Sequence, residues 1–348
     1  MRCRPPVRLY FCLLLWALPV ALGAMSGAAP ASAQDAYPNR HVRIITNAGL
    51  GSSPDVLARI IADELSRLWR QQVIVENNSA GGGIVVAQRA ADAAPDGYTL
   101  LVASASAFTV LPIRQEHAPV MIGTNLKPVA FLGASPMAFA VSPKLGVTSI
   151  KELVALSRSE PDRIFYAANQ TGSLPHMSGE YFKSRTGASL TFVPYRGAAD
   201  GLTSVLSGQT SLIIENYLAI KGAIQSGELV LLAFSARERL PNFPEVPTVA
   251  ETAPGFVAIG WAALMAPIGV PDDIVNKVHT DIRRIFDQPG VRQRMIALGI
   301  YPAFPSTAEL ANFIEQEQAQ WSPIIRNILA APSAAPAKKA DRPSSPRQ

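Results

Sequence analysis

A chain of 348 residues is too long for one small core and suits two domains of about 100–200 residues each. Its 48% hydrophobic and 16% charged residues exclude a disordered polyampholyte, a coiled coil and a collagen-like repeat. The formal charge of +5 sits at the ends, so residues 34–330 hold 24 Lys and Arg against 25 Asp and Glu and offer nothing to nucleic acid or an anionic membrane.

The N-terminus sets the compartment. A basic start with Arg2, Arg4 and Arg8 precedes the apolar run Leu9–Leu22, and small residues lead to Ala31-Ser32-Ala33. This is the layout of a cleavable secretory signal, with cleavage predicted after Ala33 and export of the mature chain. The run is shorter than the ~20 residues that a spanning helix needs. Cys3 and Cys12 both lie in the segment removed, so the exported chain has no thiol for disulfide, zinc or nucleophilic chemistry.

Strand and helix patterns then alternate. His41–Ala48 reads as a strand, Gly49–Ser53 as a turn, and Pro54–Trp69 as a helix with Val56, Leu57, Ile60, Ile61, Leu65 and Leu68 at helical spacing. Val73–Val75 is a strand. Gly81–Gly83 leads into a second helix ending near Ala93, and Tyr98–Ala103 follows the turn Pro95-Asp96-Gly97. Val129–Leu132 and Met137–Val141 read as two strands, and the capping box Ser149-Ile-Lys-Glu152 opens a helix ending near Pro161. Next come strand Ile164–Ala168, helix Pro175–Arg185, strand Leu190–Pro194, helix Ala198–Leu206 and strand Leu212–Ile214. Helix Tyr217–Gln225 and strand Leu229–Ser235 complete this half. Pro241–Pro247 looks like a crossing between domains. Strand Trp261–Met265, helix Asp272–Phe286 and a long helix Thr307–Leu329, broken near Pro323, lead to a polar tail at 331–348. Such alternation predicts parallel strands in an α/β layer fold.

Two glycine-bearing turns carry the most information. In the first, Gly51 precedes Ser52 and Ser53 where an N-cap belongs, with Pro54 and Asp55 in the first helical turn. In the second, Thr171-Gly172-Ser173 precedes Pro175 and His176. Free N–H groups and the positive helix end make each turn an anion site, and two such turns in separate halves suggest one anion held between domains. As a phosphate motif the first turn fails, for there is no Gly-Lys-Ser/Thr and no third glycine of a dinucleotide fingerprint. Each also reads as an ordinary capped βα turn. Ser104 follows the third strand; Arg196 lies past a strand end and suits either a ligand clamp or a surface ion pair. Glu215-Asn216 closes a strand, where the carboxylate can meet an amine or hydroxyl or cap the next helix. His41, His117, His176 and His279 are too scattered for a metal site, and no Gly-x-Ser-x-Gly elbow occurs. No cofactor is expected, and the chain is expected to act as a monomer.

Segments in this order resemble the periplasmic solute-binding proteins of tripartite tricarboxylate transporter systems, the Bug or TctC family. The carriers include Tyr37-Pro38-Asn39-Arg40, Gly51-Ser52-Ser53-Pro54-Asp55, Val73-Ile74-Val75-Glu76-Asn77, Ala94-Pro95-Asp96-Gly97-Tyr98, Thr171-Gly172-Ser173-Leu174-Pro175-His176 and Val193-Pro194-Tyr195-Arg196-Gly197. Leu240-Pro241-Asn242-Phe243-Pro244 and Trp261 extend the resemblance over residues 37–329. It implies a two-domain type II periplasmic binding fold with the ligand cleft between domains. Residues 34–137 plus 252–330 would form one domain and 138–251 the other. It implies a small organic acid as ligand, gripped by the two turns, and membrane transport subunits as partners. A sensory role beside a receptor kinase and, less favoured, a secreted α/β hydrolase are the rival readings. The chain departs from the family's pattern at Leu50 and Ser52, where adjacent glycines are usual, at the loop 111–120, and at Ile214-Glu215, which replaces Phe-Asp with an acid one methylene longer.

Overall fold

The computed structural model describes residues 37–48, 50–78, 84–106, 108, 120, 122–169 and 171–330. The signal segment 1–33 with its cleavage point, Gly49, the glycines 81–83, most of the loop 111–120 and the tail 331–348 lie outside the described residues. The chain divides between Asn39 and Arg40, and every element below belongs to the part that starts at Arg40.

β1 (Val42–Thr46) leads to α1 (Ser53–Trp69), β2 (Val73–Asn77), α2 (Ile84–Ala91) and β3 (Thr99–Ser104). β4 (Leu126–Val141) is followed by α3 (Ile150–Ser159), β5 (Phe165–Asn169), α4 (Leu174–Thr186), β6 (Thr191–Tyr195) and α5 (Ala198–Leu206). Then come β7 (Leu212–Asn216), α6 (Tyr217–Gln225), β8 (Val230–Phe234), β9 (Ile259–Pro267), α7 (Asp272–Phe286), α8 (Pro289–Ala297) and α9 (Thr307–Ala330). The helices follow from their sequence. In α1, Leu57, Ile60, Ile61 and Leu65 recur at three- and four-residue steps and are all buried, while Arg59 on another face is exposed.

The strands follow the path β2-β1-β3-β9-β4-β7-β5-β6, with β8 on β4. Parallel pairing, the expectation from the βα alternation, holds within two blocks only: β1 with β2 and β3, and β5 with β6 and β7. Between the blocks run β4 and β9, antiparallel to each other and to their neighbours β3, β7 and β8. The two strands expected at Val129–Leu132 and Met137–Val141 are one strand of 16 residues. Its Leu126–Pro136 stretch pairs with β9 and its Met137–Val141 stretch with β7. Pro136 lies inside this strand. It is accommodated because it stands where the pairing partner changes, so a missing N–H interrupts no uniform ladder.

Two further differences concern helices. α8 was not foreseen, because Val291 and Met295 are its only buried residues and leave a faint apolar pattern. α9 runs unbroken through Pro323. The main core joins both blocks through buried side chains such as Ile45, Leu101, Phe139, Tyr166, Phe182 and Phe256. As a result the carboxyl ends of β1, β3, β5 and β7 all open onto one cavity.

Candidate functional site

The two turns singled out by sequence share one local design. Gly51-Ser52-Ser53-Pro54-Asp55 and Gly172-Ser173-Leu174-Pro175-His176 align position by position. Gly51 has φ +76° and Gly172 φ +83°, a left-handed backbone that only glycine adopts without strain. The caps that follow match closely: Ser52 at φ −71°, ψ 161° and Ser173 at φ −72°, ψ 159°. A proline then enters the first helical turn, where its missing N–H costs little.

Each glycine N–H turns back onto the side chain four residues later. Gly51 donates to Asp55 Oδ2 at 2.8 Å and Gly172 to His176 Nδ1 at 3.0 Å. Since His176 Nδ1 accepts, the ring proton belongs on Nε2, and the ring packs on Phe192 with centroids 4.0 Å apart. Asp55 also accepts from Asn77 Nδ2 at 2.7 Å and from Arg59 Nη2 at 3.0 Å. Burial pulls its pKa upward, but the bonds from Arg59, Gly51 and Asn77 outweigh that and hold it below the usual carboxylate range. Asp55 and His176 therefore brace the turns from behind.

The turns differ in what they leave open. Ser173 Oγ accepts the His176 N–H at 3.4 Å as a cap. Ser52 and Ser53 make no such bond, and both hydroxyl oxygens are buried without a partner; Ser53 is only 4% exposed. Natural interiors rarely leave buried hydroxyls unpaired, because each costs about 1–3 kcal/mol. These two point to a group that the protein itself does not supply.

Both turns line a cavity of about 1350 Å³. Of the twelve sequence candidates, Gly51, Ser52, Ser53, Ser104, Thr171, Gly172, Ser173, Arg196, Glu215 and Asn216 lie in its wall; Asp55 and His176 do not. Arg196 stands at the rim, 93% exposed and paired to Asp200 at 3.1 Å. Glu215 is the opposite case, 3% exposed, with Oε1 accepting from Asn216 N–H at 2.8 Å and Asn216 Nδ2 at 3.1 Å. Burial pushes its pKa up to about 7 in spite of those bonds and the pull of the Asn169 amide. Among the described residues no group of His, Cys, Asp or Glu is arranged to hold a metal ion, and no helix is long and apolar enough to cross a membrane.

The family model described as "tripartite tricarboxylate transporter family receptor" matches residues 57–329. The chain belongs to this receptor family. It is 33% identical over 319 residues to the protein BugT of Bordetella pertussis, covering 91% of this chain and 98% of BugT. Among solved structures it is similar to R. palustris Rpa4515 with adipate (29% identity, TM-score 0.78, 83% of this chain and 97% of that one). It is likewise similar to MatC from Rhodopseudomonas palustris with bound malate (28% identity, TM-score 0.74, 83% and 100%). The mixed α/β architecture is thus a two-domain periplasmic binding fold, and the family and its neighbours are binding proteins.

The receptor's cavity also includes residues that sequence reading passed over. Asn47, one residue past β1, and Asn169, the last residue of β5, each bring a buried, unpartnered Oδ1 to the wall. An Asn at or just past a strand end in both parallel blocks was a signal available in the sequence. Ser106 accepts the N–H of Leu174, a free donor of the first turn of α4, at 3.2 Å and joins the β3 side of the cavity to the α4 side. Trp261 of β9 walls the cavity from the side of α9. There burial pushes the Glu317 carboxyl up to about 7, in spite of the lowering pull of the Trp321 and Trp261 indoles.

Proposed function

We propose that this receptor captures a small organic carboxylate in the cavity and delivers it to membrane transport subunits. The lobes that close on it would be residues 34–137 with 252–330, and residues 138–251. The observation that carries the reading is the pair of unpartnered Ser52 and Ser53 hydroxyls at the N-terminus of α1, in the same cavity as the N-terminus of α4. A carboxylate accepts several hydrogen bonds at once, so it can take both hydroxyls and still meet donors of the second turn. The positive ends of both helices favour that charge.

Adipate and malate in the two similar structures support a carboxylate, and the family description supports a membrane transport partner. Binding without chemistry is the better reading of the serines, since the Nδ1 of His176, the histidine of the second turn, is already taken by Gly172 N–H. The test is native mass spectrometry of protein freshly isolated from the periplasm, followed by a thermal-shift screen of organic acids. An acid at 100 times its Kd should stabilise the fold by about 2.7 kcal/mol. A screen in which sugars or cations shift the melting point and acids do not would overturn the proposal.

A further inference from the structure

The ends of β5 and β7 bring two acceptors into the cavity wall, the Glu215 carboxylate and Asn169 Oδ1, beside the amide donors of Asn216. Glu215 and Asn169 stand side by side there, because the parallel register Ala167 with Ile213 extends two residues to bring them level. The Asn169 amide stabilises the Glu215 carboxylate, which sets its NH2 toward Glu215 and leaves Oδ1 as a second, unpartnered acceptor. The opposite amide orientation would set oxygen against carboxylate.

Among the described residues no cation inside the cavity balances Glu215. Among the described lining residues Arg196 is the one guanidinium, and it is exposed and paired to Asp200. Tyr195 is the other titratable group in the wall. His176 lies behind the α4 turn with Nδ1 occupied, and Tyr217 on α6 is buried against Phe234 and Phe243. A second ligand carboxylate placed at this end would meet a buried acid and a carbonyl oxygen, with no buried positive charge to offset either. An amine or amide would meet the Glu215 carboxylate and the unpartnered Asn169 Oδ1.

We propose that the ligand is a monocarboxylate whose other end is a hydrogen-bond donor, an ammonium or amide N–H, received by Glu215 and Asn169. This rests on the carboxylate reading above and narrows it. It assigns the acid to the unpartnered serine hydroxyls of the α1 turn and the donor to Glu215 and Asn169 at the ends of β7 and β5.

The test compares matched acids in which an ammonium replaces one carboxylate on the same methylene chain. The pairs are succinate with 3-aminopropanoate, adipate with 5-aminopentanoate, and suberate with 7-aminoheptanoate, measured by calorimetry on the ligand-free protein in two buffers of different ionisation enthalpy. The amino acid of at least one pair should bind about 10-fold or more tighter than its diacid, since like charges placed together across a desolvated contact are strongly disfavoured. Its affinity should rise by about 10-fold from pH 6 to pH 8, because Glu215 titrates near 7 and only its ionised form attracts the ammonium; proton release on binding at pH 6 is the matching signature. Glu215→Gln should remove the pH dependence and cost about 30-fold or more in amino-acid affinity while changing diacid affinity little or raising it. If a diacid instead binds tighter than its amino partner with proton uptake at pH 8, Glu215 is a proton-bearing donor to a second carboxylate and the inference is wrong. That measurement uses the unaltered protein, so it stands even if the variant fails to fold. Binding by neither member of any pair, with other acids also silent, would overturn the carboxylate reading itself.

Discussion

Replacing Asp55 by Ala removes the brace under the first turn. The carboxylate holds Gly51 N–H and Asn77 Nδ2 at 2.8 and 2.7 Å, and each charge-assisted bond to a buried acceptor is worth about 1.5–3 kcal/mol. The Arg59 pair adds at most about 1 kcal/mol, because the guanidinium is 48% exposed and screened. Gly51 itself is exposed and its N–H regains water in the variant, which returns part of the loss. The net cost is about 2–4 kcal/mol, or a fall in Tm of roughly 5–10 °C at neutral pH. Differential scanning calorimetry measures it. The pH dependence supplies a second check. A carboxylate whose folded pKa is depressed contributes its stability fully above the unfolded value of about 3.9, and that contribution is lost as pH falls through the folded pKa. The gap between wild type and Asp55→Ala should therefore be full at pH 6 and close in acid below about pH 4. Asp55→Asn, which keeps one acceptor oxygen, should fall between the two. An Asp55→Ala protein that melts within about 1 °C of wild type at pH 7 would refute the brace.

Ser52→Ala with Ser53→Ala should leave Tm unchanged or raise it slightly, since two unpaired hydroxyls are removed, yet weaken acid binding by about 10-fold or more in calorimetry. Gly172→Ala should lower both Tm and affinity, because φ +83° strains any side chain by about 1–2 kcal/mol; a variant with wild-type values in both would remove the turn from the account. Glu215→Gln should raise the melting temperature of the empty protein at pH 8 by several degrees and do less at pH 5: a carboxyl with a raised folded pKa loses stability as pH climbs from its unfolded value of about 4.3 to about 7. Gly179→Ala should destabilise by about 1–3 kcal/mol without touching the cavity, as a new Cβ would sit 2.5 Å from the Tyr166 ring; denaturant titration reads it. N-terminal sequencing of exported protein should begin at Gln34.

Much of the fold was legible because local signals agreed with it. The Ser149 cap accepts Glu152 N–H as its motif implied, and the apolar spacing of α1 became its buried face. What escaped was the crossing between blocks. Two strands were expected where β4 runs through Pro136, and only the change of partner from β9 to β7 explains how one strand passes through it. Of the cavity's lining residues, Gly51, Ser52, Ser53, Gly172 and Ser173 were singled out through helix-start chemistry, which is local. Asp55 and His176 sit in those same motifs, but whether an i+4 side chain faces the ligand or turns back to the glycine N–H depends on helix rotation, which spacing does not fix. Asn47 and Asn169 were missed because one Asn near a strand end carries little weight; that both line the same cavity emerges only from the fold.

The central claim is that an acid is held at the α1 turn within the cavity. A crystal structure of the protein with the tightest-binding acid from the thermal-shift screen tests it most directly. The account predicts a carboxylate oxygen about 2.5–3.0 Å from Ser52 Oγ or Ser53 Oγ, with the second turn, from Thr171 to Ser173, closed around the same group. A carboxylate seated instead on exposed Arg196 at the rim, with both serine hydroxyls still unpartnered, would contradict it.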